Sequence, residues 1–191
     1  IRALDRRVIH EFFTNSAAGV IRKGVSVALP LSSTGLASRT VINEIVEKLA
    51  QSGMPGRLLH FVIDADALMR EESSIGDGLA KLRQAGCRLI ISHIGRDLEI
   101  FNHLMPQMAD YVLLEPELVN NVHGNLMDEM MVTIVQGHAH RLGMKSIAGP
   151  TNQPMMMDTL SGIGIDYIFG DTISQAQPLD LMLNTSYFAI N

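Results

Sequence analysis

The sequence predicts a parallel α/β fold, and three observations carry that prediction. Short runs rich in Val, Ile and Leu alternate with longer stretches whose apolar residues recur at helical spacing. The short runs mostly do not alternate in polarity, as strands covered on both faces read. Glycines recur where a helical stretch gives way to a strand, at Gly24, Gly53, Gly56, Gly86, Gly143 and Gly164. A glycine there ends the helix and turns the chain back. Helix, glycine, buried strand, repeated about five times, is the order of a parallel sheet. Two architectures fit it, an open doubly wound sheet and a closed (β/α)8 barrel.

The elements follow in order. Leu4, Val8, Ile9, Phe12 and Phe13 share one helical face, and a strand is expected over Val25–Leu31. Ser32-Ser33-Thr34 then reads as an N-cap cluster. Ile42, Ile45, Val46 and Leu49 make the next helical face, ahead of a strand over Leu58–Asp64. Ile75, Leu79 and Leu82 mark a third, ahead of a strand over Arg88–Ser92. A strand over Tyr111–Glu115 comes next. Met127, Met131, Ile134 and Val135 mark what should be the longest helix, ending near Leu142. Strands over Lys145–Ala148 and Asp166–Phe169 close the series. No linker or low-complexity stretch divides the chain, so residues 1–191 read as one domain.

Composition narrows the function. The chain has 191 residues, 47% hydrophobic and 18% charged, enough to bury a core. One cysteine supports neither an internal disulfide nor a cysteine-based zinc site, which points to a reducing compartment such as the cytoplasm. A net charge of −5 gives no footprint for direct nucleic-acid binding or an anionic membrane. No apolar run approaches the ~18 residues of a spanning helix. There is no Gly-x-Gly-x-x-Gly after the first strand and no P-loop, so Rossmann-type nucleotide binding lacks support.

In either architecture the chemistry sits at the C-terminal ends of the strands. Those ends offer Asp64, Asp66, His93, Glu115 and Asp171, a thin set for a metal-dependent hydrolase, which needs several oxygen ligands. Each also has a plainer reading. Asp64 and Asp66 would cap the following helix. His93 would be a hydrogen-bonded loop residue. Glu115 would order the loop or cap Pro116-Glu117-Leu118. His138 and His140 diverge on a helix and read as a solvated face. Met155-Met156-Met157 and Cys87 read as packing residues.

Several segments resemble those of EAL domains, the bacterial cyclic di-GMP phosphodiesterase family. The run from Gly86 to Gly95, Gly-Cys-Arg-Leu-Ile-Ile-Ser-His-Ile-Gly, is similar to Gly-x-x-Leu-Ala-Leu-Asp-Asp-Phe-Gly. The run from Phe61 to Leu68 resembles Phe-Glu-Ile-Thr-Glu-Ser-Ala-Leu, and that from Ala109 to Glu115 resembles Val-Asp-Tyr-Ile-Lys-Ile-Asp. Ser146 to Asn152 resembles Val-Ile-Ala-Glu-Gly-Val-Glu, and Gly164 to Gly170 resembles Gly-Val-Asp-Tyr-Ala-Gln-Gly, with Gln177-Pro178-Leu179 after it. Leu4-Asp5 with Val8 matches a Leu-Asp-x-x-Val helix before the first strand. The resemblance implies a modified (β/α)8 barrel of TIM type, with its first strands and the Glu-Ala-Leu motif lying before Ile1. A full barrel takes about 250 residues.

The resemblance also implies a site with two divalent metals, and the departures fall on it. Ala28 stands where the family has a ligand Asn; Val62 and Ala65 replace its two Glu. Ser92 and His93 replace the Asp-Asp pair, Leu113 the Lys that orders the attacking water. Glu115 stands for an Asp, Gly149 for the Glu of Ala-Glu-Gly, and Phe169 for the later Gln. These positions and Asp64 form a vestigial pocket with no catalytic or metal-ligand set and no cofactor. The implication is an inactive, degenerate EAL domain that binds a protein, and cyclic di-GMP weakly if at all. Such domains occur beside degenerate GGDEF domains behind a membrane anchor, in CsrD-type regulators of RNA turnover and in MshH proteins of MSHA pilus biogenesis and biofilm gene clusters. There the glucose-specific IIA protein of the phosphotransferase system is the expected partner, on the cytoplasmic side of the inner membrane. A non-hydrolysing cyclic di-GMP receptor and an enzyme repurposed around His93, Asp64 and Glu115 remain alternatives.

Overall fold

In the computed structural model, which describes residues 2–106 and 108–184, all six expected strands form. They are β1 Val27–Pro30, β2 Leu59–Asp64, β3 Arg88–Ile94, β4 Tyr111–Leu114, β5 Lys145–Ala148 and β6 Tyr167–Ile168. The strands run in the sheet in chain order, β1 to β6, and the pairs β1–β2, β3–β4, β4–β5 and β5–β6 are parallel. A doubly wound sheet reverses its strand order at a switch point; this one does not, which is the order of a barrel.

The connecting helices are α1 Arg2–Asn15, α2 Ala17–Lys23, α3 Ser33–Leu36, α4 Arg39–Ser52, α5 Ala65–Gln84, α6 Ile100–His103, α7 Pro116–Asn120, α8 Leu126–Arg141, α9 Pro154–Ile163 and α10 Leu179–Asn184. The chain divides into two compact units, one of residues 1–62, 71–88 and 177–191, the other of 63–70 and 89–176.

The first unit packs Ile9, Phe12 and Val20 of its opening helices with Ile42, Ile45 and Leu49 of α4 and Leu59 and Phe61 of β2, all buried. Asp5 of the Leu-Asp-x-x-Val segment anchors the loop after β1. Its buried carboxylate accepts from the Ser32 N–H at 3.2 Å and the Ser32 hydroxyl at 2.5 Å. Ser32 in turn accepts from the Gly35 N–H at 3.0 Å, so the expected N-cap forms on α3 and α1 holds it in place. Cys87 is buried as expected, and burial pushes its thiol up to about 12.

In the second unit Val112 and Leu114 of β4 pack with Val132, Val135 and Ala139 of α8 and Leu160 of α9, all buried. Asp166 ties the strand starts together. It accepts from the Ser146 N–H at 2.8 Å and Ser146 Oγ at 3.1 Å and pairs with His140 at 2.9 Å. Burial works to raise the Asp166 pKa, but the Ser146 and His140 hydrogen bonds win and hold it below the usual carboxylate range.

Five expectations need correction. The longest helix is α5 at 20 residues, against 16 for α8. In α8 the core face is Asp128, Val132, Val135, Gln136 and Ala139, while Met127 and Ile134 are exposed, so Met spacing there marked the wrong face. Most strands bury one face only: β4 and β5 alternate, and only β3 is nearly continuously buried. The more open face still carries Tyr111, Leu113 and Ile147, which hid the alternation in the sequence. Gly56 does not reverse the chain at positive φ as the other five junction glycines do. It opens a 3-10 turn, and a Cβ on it would lie 2.1 Å from the Ala85 carbonyl oxygen. Finally, His138 stacks on Phe101 at 5.0 Å and His140 is bonded to Asp166, so neither is merely a solvated residue.

Candidate functional site

Strand ends in the second unit frame a cavity of about 320 Å³. Its charged walls are Asp64, Asp66, His93, Arg96, Asp97 and Glu115, and its apolar walls Ala65, Met69 and Ile100. β2 delivers Asp64 at its last residue. One Asp64 oxygen accepts from the Asp66 N–H at 2.9 Å, the cap expected at the start of α5. The other lies 3.0 Å from His93 Nδ1.

His93 is placed by an irregularity that the sequence did not announce. β3 runs on to Ile94, past the expected end at Ser92, and its register with β4 shifts between Ile91 and Ile94. His93 sits in that bulge with φ 60°, a left-handed conformation that a residue with a Cβ adopts at a cost of about 1 kcal/mol or more. Ser92, buried beside it, donates from Oγ to the Ile63 carbonyl at 3.3 Å and lies 3.3 Å from His93 Nδ1. With Nδ1 facing Asp64, the imidazole has a set orientation. Both members are half-exposed, at 62% and 48%, so water screens the pair.

Glu115 follows β4 and gives no side-chain cap to α7. A Cβ on Gly95 would lie 2.0 Å from Glu115 Oε2, so a glycine is what lets this carboxylate tuck against the loop after β3. From the same loop Arg96 reaches Asp128 in the first turn of α8, a carboxylate 1% exposed. The second Asp128 oxygen has no partner among the described residues.

The structure thus brings Asp64, Ala65, Asp66, His93 and Glu115 to one cavity and leaves the other candidates outside its lining. Leu113 is half-buried on β4, and Gly149 and Phe169 lie together at the ends of β5 and β6. Asp171 is exposed in the turn after β6. Ala28 and Val62 belong to the first unit, where Val62 pairs with Pro30 and its carbonyl accepts from the Leu31 N–H at 3.0 Å. Sequence reasoning missed Arg96, Asp97 and Asp128. Asn125, which caps α8 through Met127 and Asp128, was the available signal for a helix start at that point.

Two divalent ions would each need several converging oxygens. Among the described residues, no three His, Cys, Asp or Glu side chains are grouped to hold a metal ion. Asp64 is engaged by His93 and its own helix, and Ala65 and Gly149 carry no donor. These residues do not fit a two-metal centre.

A family model described as "EAL domain" matches residues 1–176. The chain belongs to the EAL domain family. The chain is 58% identical over 189 residues to a protein of Escherichia coli strain K12 named "Probable diguanylate cyclase DgcE", covering 99% of this chain and 17% of that protein. It is 23% identical over 177 residues to the "Cyclic di-GMP phosphodiesterase PdeB" of Shewanella oneidensis, covering 92% of this chain and 21% of that one. The chain therefore spans about a fifth or less of these relatives. Among solved structures, it superposes on the FimX EAL domain of Xanthomonas citri in complex with c-diGMP with a TM-score of 0.82 at 18% identity, covering 94% of this chain and 72% of that one. The fold is therefore that of the EAL barrel. Among the described residues, no helix is long and apolar enough to cross a membrane.

Proposed function

We propose that this EAL domain is a catalytically inactive regulatory module in cyclic di-GMP signalling, and that it works by binding a protein. The observation that carries the reading is the donor set. Small or apolar side chains stand at Ala28, Val62, Ala65, Gly149 and Phe169, and among the described residues no three His, Cys, Asp or Glu side chains are grouped to hold a metal ion. Two-metal phosphodiester hydrolysis has no place to bind its ions. The whole chain, residues 1–191, is taken as this one module, on the cytoplasmic side of a membrane-anchored parent. A domain that has given up its metal ligands yet keeps a buried core is available for contacts on its surface. The phosphotransferase IIA protein is the first partner to try, and the CsrD and MshH regulators are the functional parallel. Incubated with cyclic di-GMP and Mg²⁺ or Mn²⁺, the domain should release no linear dinucleotide above a protein-free control. Turnover like that of an active phosphodiesterase would overturn the reading.

A second reading is favoured by one observation, the crystal structure of a similarly folded EAL domain with c-diGMP bound. As a receptor, this domain would hold cyclic di-GMP without cleaving it. Four carboxylates line the cavity against one arginine and one histidine, a poor field for a phosphodiester dianion. Calorimetry should therefore show no binding at micromolar ligand, and a micromolar Kd would favour the receptor.

A further inference from the structure

At the starts of β5 and β6, outside the lining of the cavity, one histidine nitrogen faces two partners that it cannot serve together. His140 Nε2 lies 2.9 Å from Asp166 Oδ2 and 2.9 Å from the side-chain nitrogen of Gln136. With a proton on it, Nε2 donates to the carboxylate and opposes the amide N–H. Without one, it accepts from the amide and opposes the carboxylate lone pairs. Turning the amide round does not resolve the conflict. The Gln136 nitrogen also donates to the Gly164 carbonyl at 2.5 Å, and reversal would set two acceptors at that distance. The Gly164 carbonyl therefore fixes the amide, and the buried Gln136 Oε1 has no partner among the described residues.

The two partners belong to different parts of the fold. Gln136 lies one turn back on α8, so its contact stays inside the helix. Asp166 precedes β6 and holds Ser146 of β5 by three hydrogen bonds, the third from its own N–H to Ser146 Oγ at 3.1 Å. The bond to Asp166 thus ties the last turn of α8 to the starts of two strands. Asp166 is the charged group in contact with the imidazole. Lys145 of β5 lies near enough to Asp166 to feel its charge, Arg141 follows His140 on α8, and α9 contributes the Gly164 carbonyl at its C-cap. Histidine changes charge between about pH 5 and 8, and this ring is half-exposed, so solvent protons reach it. An imidazolium only donates. A neutral ring can keep its one proton on Nδ1 and leave Nε2 as an acceptor. A buried Gln136 N–H left unpaired is costly, whereas Asp166 keeps its Ser146 donors in either case. We propose that His140 is a pH-dependent hydrogen-bond switch: protonated, it bridges α8 to Asp166; neutral, it turns to Gln136 and lets go of the strand starts. The switch goes beyond the inactive-module reading and does not depend on it.

The test follows the histidine ring nitrogens of the isotope-labelled full chain by NMR from about pH 5 to about pH 8. His140→Gln identifies the His140 signals among the seven histidines. Both His140 nitrogens should be protonated at the acid end. At the alkaline end the remaining proton should sit on Nδ1, with Nε2 bare. The backbone amide signal of Ser146, which donates to Asp166, should shift with the same midpoint and stop shifting in His140→Gln. Gln136→Met removes the competing amide, so its neutral ring should keep the proton on Nε2, facing Asp166. Thermal unfolding checks both variants, and if either fails to fold the tautomer in the unmodified chain decides alone. A neutral ring there with its proton on Nε2 would overturn the proposal, because His140 would then hold Asp166 at every pH. So would a Ser146 amide that ignores the titration, or a Gln136→Met ring that still carries its proton on Nδ1.

Discussion

Arg96→Met should destabilise the domain by about 3 kcal/mol, a larger effect than its place on a charged surface loop suggests. The reason is its partner. Asp128 is buried in the first turn of α8, and Arg96 is the cation that reaches it. Removing one member of such a pair leaves a charge in low dielectric, and that costs about 3–5 kcal/mol when both members are buried. Arg96 is 58% exposed, so the lower end applies. Asp128→Asn alone should cost less, because an amide is cheaper to bury than an unpaired carboxylate. The two together should cost less than the sum of the single changes, with a coupling that urea unfolding of all four proteins measures. Additive losses would show that the pair does not hold the loop to the helix.

The second large effect falls where β5 and β6 end. Gly170→Ala should cost about 3 kcal/mol or more, read as a lowered urea midpoint. Gly170 has φ 143°, a conformation that side chains rarely take, and a Cβ there would lie 2.2 Å from both the nitrogen and the oxygen of Thr151. The obstacle is backbone, so no rotamer change relieves it. The same stretch is stitched by the Thr151 N–H donating to the Phe169 carbonyl at 2.8 Å and by the Thr151 and Thr172 hydroxyls at 2.6 Å. A loss below about 1 kcal/mol would mean that this crossing is looser than its geometry.

The sequence was most legible where one physical cause acts locally. Apolar runs after a junction glycine located five of the six strands, and the apolar run alone located β4, because burial and chain reversal leave their marks on adjacent residues. The cap at Ser32 and the turn at Asp64 were legible for the same reason. Contacts between distant segments were not. Asp128 follows a helix start, and nothing near it tells that α8 turns it inward toward Arg96. The bulge that re-aims His93 depends on the register of β3 against β4, a property of two strands rather than one. The candidate list shows the same division. The sequence groups Asp64 and His93 with Glu115 as one candidate site, and the fold adds the direct contact between Asp64 and His93.

Cys87 has a practical consequence. It is the one cysteine of the chain, and burial holds its thiol protonated far above neutral pH. Maleimides and other thiolate-seeking reagents should pass it by in the folded protein. A cysteine introduced at an exposed position such as Met130 would then be the single reactive thiol, so a dye or spin label could be set on α8 without first engineering the native sulfur away.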